Sequence, residues 1–213
     1  MSEHNDYYSH GRTELVAQLP VGSDACVLEL GCGSGTTSIL IKKEGKAREL
    51  WGIEKFPDAA ARARASNALD TLLEGDLEDL IDQLPKKHFT HIIAGDVLEH
   101  VVDPWDVCNR LNACLKSEGV FICSIPNIRN LSFILALLFK KRFEYKDSGV
   151  LDRTHLRFFA RKDVHDLFAN TGYSNITIGP VRPKKKLSYK IGKLLFGDLL
   201  TKGFLVLAKK GGA

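Results

Sequence analysis

The chain has 213 residues, of which 44% are hydrophobic and 26% are charged, and its formal net charge is +4. This length and composition fit one domain over residues 1–213 whose core needs neither metals nor disulfides. So small a net charge does not favour nucleic acid as a partner, and no apolar run reaches the roughly 18 residues of a membrane span.

The five cysteines form no C-x-x-C pair, and three of them lie in apolar segments predicted as strands or strand ends. This pattern predicts reduced, buried thiols rather than disulfides or a metal site. The N-terminal Met-Ser-Glu-His-Asn-Asp has neither the basic nor the apolar region of a signal peptide. We therefore expect a cytoplasmic protein.

The first predicted elements are a short helix over residues 12–19 and a strand that ends in a glycine loop. The apolar run Val27–Leu30 leads into Gly31-Cys32-Gly33-Ser34-Gly35, and a helix is predicted over residues 36–44. Glycines allow positive φ and leave no Cβ between the backbone and a ligand. The helix N-terminus directs free N–H groups to the same place. A nucleotide-like ligand is the first hypothesis, and an ordinary tight turn is the structural alternative.

The spacing of the loop separates classes of nucleotide-binding protein. The dinucleotide fingerprint needs a third glycine five positions after the first, where this chain has Thr36, and no Gly-Lys-Ser/Thr of a P-loop follows. The segment E-L-G-C-G-S-G at residues 29–35 instead resembles the first motif of class I S-adenosylmethionine-dependent methyltransferases. In that family the glycine loop lies under the methionine part of the cofactor. The resemblance therefore assigns cofactor contacts to Glu29, Gly31, Cys32 and Gly33.

The resemblance also gives a role to the N-terminal segment 1–24. In methyltransferases of this type such a segment often folds over the cofactor, and its candidates for contact are Tyr8 and Arg12. Simple packing of Tyr7 and Tyr8 on the sheet edge is the alternative.

Acidic residues follow the second and third predicted strands. Residues 48–53 should form a strand that ends in Glu54-Lys55, and both residues are candidates for cofactor contact. A carboxylate beside the glycine loop can accept hydrogen bonds from both ribose hydroxyls of an adenosine ligand. A helix over 57–69 and a strand over 71–74 lead to Gly75-Asp76-Leu77. The resemblance implies that Asp76 accepts from the adenine amino group and that Leu77 offers a backbone N–H. The alternative for Glu54 is a plain surface acid. Asp76 could instead cap a helix over 77–83, and the two roles of Asp76 are compatible.

The fourth predicted strand, residues 90–94, breaks into G-D-V-L-E-H-V-V-D-P at residues 95–104. It should lie beside the first strand, so that Asp96 faces the cofactor across the crevice where open α/β sheets bind ligands. Asp96, Glu99 and His100 form a D-x-x-E-H cluster similar to one that binds a divalent ion in some quinone-pathway methyltransferases. We expect no tight metal, because these residues offer at most three ligands and no clear fourth follows.

The second half contains two segments beyond the common core. After a helix over 104–116 and a strand over 119–124, the insertion 128–150 holds an apolar run, 131–139, and a charged stretch, 140–147. We interpret the run as a lid helix over the active site or as part of an interface. After the predicted strand 173–181, residues 183–201 mix lysines with apolar residues and could form an amphipathic surface helix, before a last strand over 204–209. Both insertions are expected on the acceptor side, where they favour an amphiphilic or anionic acceptor and could allow peripheral membrane contact. The competing explanation is a homodimer interface.

The block Leu151-Asp152-Arg153-Thr154-His155-Leu156-Arg157-Phe158-Phe159 resembles a recurring block in one bacterial-type subgroup of these methyltransferases. The family usually has a threonine cap at the next helix where this chain has Ala160, which costs about 1 kcal/mol of capping. The helix itself is predicted over residues 161–171.

Taken together, the resemblance implies a Rossmann-like, doubly wound α/β fold with a seven-stranded sheet, an antiparallel last strand and helices on both faces. It implies methyl transfer from S-adenosyl-L-methionine to a small-molecule, glycan or lipid-linked acceptor by in-line displacement. For a hydroxyl acceptor, His155 or His100 could act as general base, or either could serve only to orient or pack. The alternatives are an NAD-type oxidoreductase and a non-catalytic binding protein that retains the fold.

Overall fold

The computed structural model describes residues 11–22, 24–181 and 197–212. Within these ranges the strands are β1 (Cys26–Leu30), β2 (Glu49–Glu54), β3 (Thr71–Glu74), β4 (Phe89–Gly95), β5 (Leu115–Pro126), β6 (Tyr173–Pro180) and β7 (Gly203–Lys210). The α-helices are α1 (Thr13–Val16), α2 (Thr36–Lys43), α3 (Pro57–Ala65), α4 (Leu77–Leu80), α5 (Pro104–Cys114), α6 (Leu131–Lys140) and α7 (Arg161–Ala169). Short 3₁₀ turns follow α4 at Ile81–Gln83 and precede β7 at Gly197–Leu200.

All of these strands belong to one mixed sheet with the order β3-β2-β1-β4-β5-β7-β6. Strands β1 to β5 pair in parallel, whereas β7 runs antiparallel to both of its neighbours. The chain winds from β1 outward to β3 and then returns to β4 on the other side of β1. The carboxyl ends of β1 and β4 therefore flank the crevice at which open α/β sheets bind ligands. The predicted fold, including the antiparallel last strand, is confirmed.

Successive side chains of the central strands point to opposite faces of the sheet, and each face carries an apolar cluster. Leu28 of β1 belongs to the cluster that includes Leu111 of α5 and Phe168 of α7. Val27, its neighbour in sequence, belongs to the opposite cluster with Ile41 of α2. Burial on both faces explains why β1 is an unbroken apolar run apart from Glu29.

Several predicted boundaries differ from the structure by a few residues. The helix predicted over 104–116 ends at Cys114, because Leu115 is already extended with ψ of 143° and begins β5. The helix predicted over 57–69 ends at Ala65, and Asn67 has a left-handed φ of 54°. At the start of α7, Ala160 makes no side-chain cap, as expected, but its N–H donates to Asp163 Oδ2 at 2.9 Å. Half of a capping box is therefore present.

Other expectations concern cysteines, membrane spans and the second insertion. All five cysteines are free and buried, as predicted. Among the described residues, no helix has both the length and the apolarity to cross a bilayer. The amphipathic helix expected within 183–201 falls mostly on residues 182–196, which lie outside the described ranges.

Candidate active site

A cavity of about 1200 Å³ opens at the carboxyl ends of β1, β2, β3 and β4. The sequence-predicted cofactor residues within the described ranges all line it: Arg12, Glu29, Gly31, Cys32, Gly33, Glu54, Lys55, Asp76, Leu77 and Asp96. Tyr8 was assigned to the same site and lies outside the described residues. The parallel arrangement brings these residues together because the ends of neighbouring strands share one edge of the sheet.

The glycine loop after β1 has the conformation that its sequence predicts. Gly31, Gly33 and Gly35 have φ values of 61°, 57° and 82°, which side-chain-bearing residues rarely adopt. A Cβ built on Gly31 would lie 3.0 Å from Val97 Cγ2, so the loop also passes close to the segment after β4. The loop ends at the N-terminus of α2, whose first two residues, Thr36 and Thr37, also line the cavity.

Glu54, at the end of β2, is only 3% exposed and is fixed by two backbone groups. Its Oε2 accepts a hydrogen bond of 2.7 Å from the N–H of Gly33, and its Oε1 accepts one of 2.9 Å from the N–H of Phe56. Each carboxylate oxygen can accept a second hydrogen bond. Glu54 is therefore positioned to receive two further donors from a ligand in the cavity.

Asp76 caps the helix that follows it, and the same residue lines the cavity. Its Oδ1 accepts a hydrogen bond of 3.0 Å from the N–H of Glu78 and so caps α4, while its Oδ2 lies 2.7 Å from Lys55 Nζ. The hydrogen bond from Lys55 is the largest cause of a lowered pKa for this carboxyl group. Asp76 thus faces the cavity as a carboxylate while it also begins a helix.

An ion pair joins the N-terminal segment to the loop after β4. Arg12 Nη1 lies 2.7 Å from Asp96 Oδ2, and Asp96 Oδ1 accepts a hydrogen bond of 2.7 Å from Ser124 Oγ. The N–H of Arg12 also donates to Thr37 Oγ1 at 3.2 Å. Arg12 therefore connects α1, α2 and β4 at the cavity wall.

Glu29 is a buried acid within β1 and accepts a short hydrogen bond from Ser38 Oγ of α2. Burial raises its pKa from 4.5 to about 7, partly opposed by the hydrogen bonds from Ser38 and Thr37. Burial also raises the pKa of the neighbouring Cys32 thiol, so this cysteine is not an activated nucleophile.

The two histidines proposed as bases occupy different positions. His100 lines the cavity, whereas His155 is buried behind it, with the two ring centroids 4.7 Å apart. His100 Nδ1 lies 3.2 Å from the carbonyl oxygen of Thr154, and His155 Nδ1 lies 3.0 Å from that of Val150. Because a carbonyl only accepts, each Nδ1 carries a hydrogen, and the neutral form of His100 has its lone pair on Nε2. Burial, followed by the charge of His155, lowers the pKa of His100.

Glu99 completes a buried polar cluster with these histidines. Among the described residues, neither of its carboxylate oxygens has a hydrogen-bond partner, and burial raises its pKa well above the usual range. Glu99, His100 and His155 offer one potential metal-ligand atom each, all within 4.8 Å of one another. Cys26, Glu49 and His88 form a second such group. The sequence motif suggested Asp96 as the partner of Glu99 and His100, but Asp96 is instead paired with Arg12.

Part of the cavity wall is formed by residues to which the sequence analysis gave no individual role. Six of the further lining residues come from the end of the first insertion and the block after it: Asp147, Ser148, Asp152, Arg153, Thr154 and Leu156. No residue of α6 lines the cavity, although the apolar run was interpreted as a lid. An irregular loop has no periodicity from which its course could be predicted, but alternation within 154–156 does place Thr154 and Leu156 on the opposite side from His155.

Comparison with known proteins identifies the family to which this site belongs. The family model described as a methyltransferase domain matches residues 2–178. The chain belongs to this family. The methyltransferase is also 27% identical over 119 residues to trans-aconitate 2-methyltransferase of Escherichia fergusonii, a match over 56% of this chain and 46% of that protein. It spans about half the length of the curated relatives it matches.

Solved structures give the same fold for the methyltransferase. An S-adenosylmethionine-dependent methyltransferase from Archaeoglobus fulgidus superposes with a TM-score of 0.68 at 15% identity, over 97% of this chain and 98% of that one. Phosphoethanolamine N-methyltransferase 2 of Haemonchus contortus, solved with S-adenosyl-L-methionine, gives 0.66 at 13% identity, over 95% and 52%. The methyltransferase thus has the class I S-adenosylmethionine-dependent fold, and S-adenosylmethionine is the cofactor of its family.

Proposed function

We propose that this methyltransferase transfers a methyl group from S-adenosyl-L-methionine to a small-molecule, glycan or lipid-linked acceptor. The observation that carries the proposal is the convergence of the glycine loop, Glu54 and Asp76 at adjacent strand ends around one cavity. We assign these groups, in order along the chain, to the methionine, ribose and adenine parts of the cofactor.

The residues present fit the cofactor. Gly31 and Gly33 place no Cβ between their backbone and the cavity, and Glu54 retains one acceptor position on each oxygen for the two ribose hydroxyls. Asp76 supplies an acceptor for the adenine amino group, with Leu77 beside it. When bound, the cofactor supplies a methyl group activated by an adjacent sulfonium.

The chain's own contribution is alignment. In-line displacement requires the acceptor nucleophile, the methyl carbon and the sulfur to be collinear, and positioning alone can supply a large share of the rate. Arg12 and Asp96 stiffen the wall between α1 and β4 by their 2.7 Å ion pair, which helps to hold the cavity in one shape. We expect Asp96 to face the cofactor from this wall.

A hydroxyl acceptor would also need to lose a proton. His100 is the candidate base that lines the cavity, its lone pair is on Nε2, and its lowered pKa keeps it neutral near physiological pH. We assign to His155 the positioning of His100, because the rings are in edge-to-face contact and the Nδ1 of His155 is tied to Val150. An acceptor that is already a carboxylate or an unprotonated amine would not need either histidine as a base.

A small-molecule acceptor is supported by the name of the relative, trans-aconitate 2-methyltransferase. The cavity offers one additional cation for an anionic acceptor in Arg153, which lies 3.3 Å from Asp147 Oδ1 on the same wall. The exposed guanidinium of Arg153 can exchange this weak surface partner for a carboxylate or phosphate of the acceptor.

Methyl transfer is tested by incubating the full chain with S-adenosylmethionine labelled in its methyl group and with pools of carboxylic acids, nucleotide sugars and lipid-linked acceptors. We expect label in one pool and stoichiometric formation of S-adenosylhomocysteine. Cofactor binding without transfer to any pool would favour the non-catalytic alternative, and reduction of NAD in place of transfer would favour the oxidoreductase.

A further inference from the structure

Helix α6 presents an apolar face that the other described residues do not cover. None of its residues is buried, and Leu135, Leu138 and Phe139 are 42%, 64% and 73% exposed. Their spacing of three and four residues places these side chains on one side of the helix. We name these three residues the apolar patch. Contiguous exposed apolar patches are uncommon on soluble domains, and they often mark surfaces that bind another protein or a membrane.

A strongly basic segment follows the helix directly. Residues 140–146 contain the cations Lys140, Lys141, Arg142 and Lys146 against one carboxylate, Glu144, which lies 3.2 Å from Arg142. Every residue of this segment is exposed. We name residues 140–146 the basic loop.

Aromatic contacts hold the basic loop beside the helix. Phe143 of the loop packs edge-to-face against Phe133 of α6, with centroids 5.6 Å apart, and against Phe158, 6.0 Å away. Tyr145 packs on Phe143 at 5.4 Å and is half exposed. The apolar patch and the cations are therefore adjacent parts of one surface.

We propose that the apolar patch and the basic loop together dock this methyltransferase on an anionic membrane surface. A helix of ten residues cannot span a bilayer, but it can lie in the interface with Leu and Phe side chains among the acyl chains and cations at the headgroups. The positive charge of the basic loop favours an anionic membrane over a second copy of this chain, because a second copy would bring an equally basic loop to the same place. The surface also leads into the cavity, since Asp147 and Ser148 follow the basic loop and line the cavity wall.

Vesicle co-sedimentation of the full chain tests this docking. We expect binding to phosphatidylcholine vesicles that contain phosphatidylglycerol, weaker binding to phosphatidylcholine alone, and a decrease with added salt. Lys140→Gln and Lys141→Gln should each weaken binding to the anionic vesicles about fivefold. The double variant Leu138→Ser/Phe139→Ser should weaken it roughly tenfold or more.

The matched controls change exposed residues on other surfaces. Val21→Ser removes an apolar side chain that is 77% exposed, and Lys43→Gln neutralises an exposed lysine at the end of α2. Both should bind vesicles like the wild-type chain, and all variants should keep the wild-type melting temperature. S-adenosylhomocysteine affinity, measured on the same samples, reports on the methyl-transfer site separately from docking.

Three results would overturn the proposal. The first is that the wild-type chain does not sediment with anionic vesicles. The second is that the patch variants bind them as tightly as the wild type. The third is that Leu138→Ser/Phe139→Ser converts a dimer to a monomer while vesicle binding is absent, which would make the patch an interface between copies.

Discussion

The N–H of Gly33 donates a 2.7 Å hydrogen bond to Oε2 of Glu54, and this bond joins the glycine loop after β1 to the acid that ends β2. The two strands are parallel neighbours, with Leu30 opposite Ile53, so their ends are held in register by the sheet. The loop and the acid therefore act as one unit. A change at Glu54 should affect both the ligand contacts of its carboxylate and the shape of the loop.

Glu54→Ala should weaken S-adenosylhomocysteine binding by roughly 1.5–3 kcal/mol, because both ribose hydroxyls lose a charged acceptor. This corresponds to a loss of about tenfold to more than a hundredfold in Kd, measurable by titration calorimetry. The control is Glu74→Ala, which removes an exposed acid at the end of β3 that pairs with Arg64 and does not line the cavity. Unchanged affinity in Glu54→Ala would remove Glu54 from the cofactor site.

Glu29 should make the free energy of unfolding decrease as pH rises. Its pKa is about 7 in the folded chain and 4.5 as the ordinary value, so between these pH values the unfolded chain releases a proton that the folded chain keeps. Stability should therefore be full below about pH 4.5 and should fall by about 3 kcal/mol as pH rises through 7. The groups that face Glu29 are Ser38, Thr37, Glu54 and Arg12.

Glu29→Gln tests this pH dependence, because the amide resembles the protonated acid in shape and carries no charge. Urea unfolding of both proteins at about pH 5 and about pH 8 should show the wild type losing the larger share of its stability. Equal losses in the two proteins would contradict a raised pKa at Glu29.

His100→Gln should lower kcat about 100-fold or more if the acceptor is a hydroxyl, because proton removal then depends on this ring. In the wild type, kcat/KM should fall on acidification with an apparent pKa below 6.5, because burial and the charge of His155 lower the pKa of His100, partly offset by Asp152 and Asp96. If His100→Gln keeps both the wild-type kcat and the fall of kcat/KM at low pH, which we call the acidic limb, His100 is not the base.

His155→Gln distinguishes a positioning role from simple packing. It should lower kcat less than His100→Gln does, and it should move the acidic limb to higher pH because a neighbouring positive charge is removed. The exposed His165 of α7 provides the control variant, His165→Gln. A fall in rate without any shift of the limb would assign His155 to packing alone.

Chelation should leave methyl transfer unchanged, since we expect no tightly bound metal at the cluster of Asp96, Glu99 and His100. The measurement is the rate of labelled methyl transfer before and after treatment with EDTA. Activity that is lost with the chelator and restored by magnesium would contradict this expectation, and it would favour a quinone-like acceptor. Glu99→Gln should then reproduce the loss.

The strand ends could be predicted from sequence because their position follows from local pattern and parallel pairing. Apolar runs that break into Gly31, Glu54, Asp76 and Asp96 define one edge of a sheet, and in the structure this edge is where the cavity opens. Boundaries were less predictable, as at β5, which begins at Leu115 because α5 passes into it without a loop.

The acceptor side could not be predicted, because its residues are placed by long-range contacts. The N–H of Leu156 donates to the carbonyl of Glu99 at 2.8 Å, and this bond fixes His155 behind His100. Sequence alone gave both histidines equal standing as bases. It left the run 131–139 as either a lid over the cavity or part of an interface. In the structure no residue of α6 lines the cavity, whereas Asp147 and Ser148 do.

The most direct test of the central claim, that the cavity holds S-adenosylmethionine, is calorimetric titration of the wild-type chain with S-adenosylhomocysteine and, separately, with NAD. We predict saturable heat at one site for S-adenosylhomocysteine and none for NAD. Saturable binding of NAD, or no heat with S-adenosylhomocysteine, would contradict the assignment of the cavity.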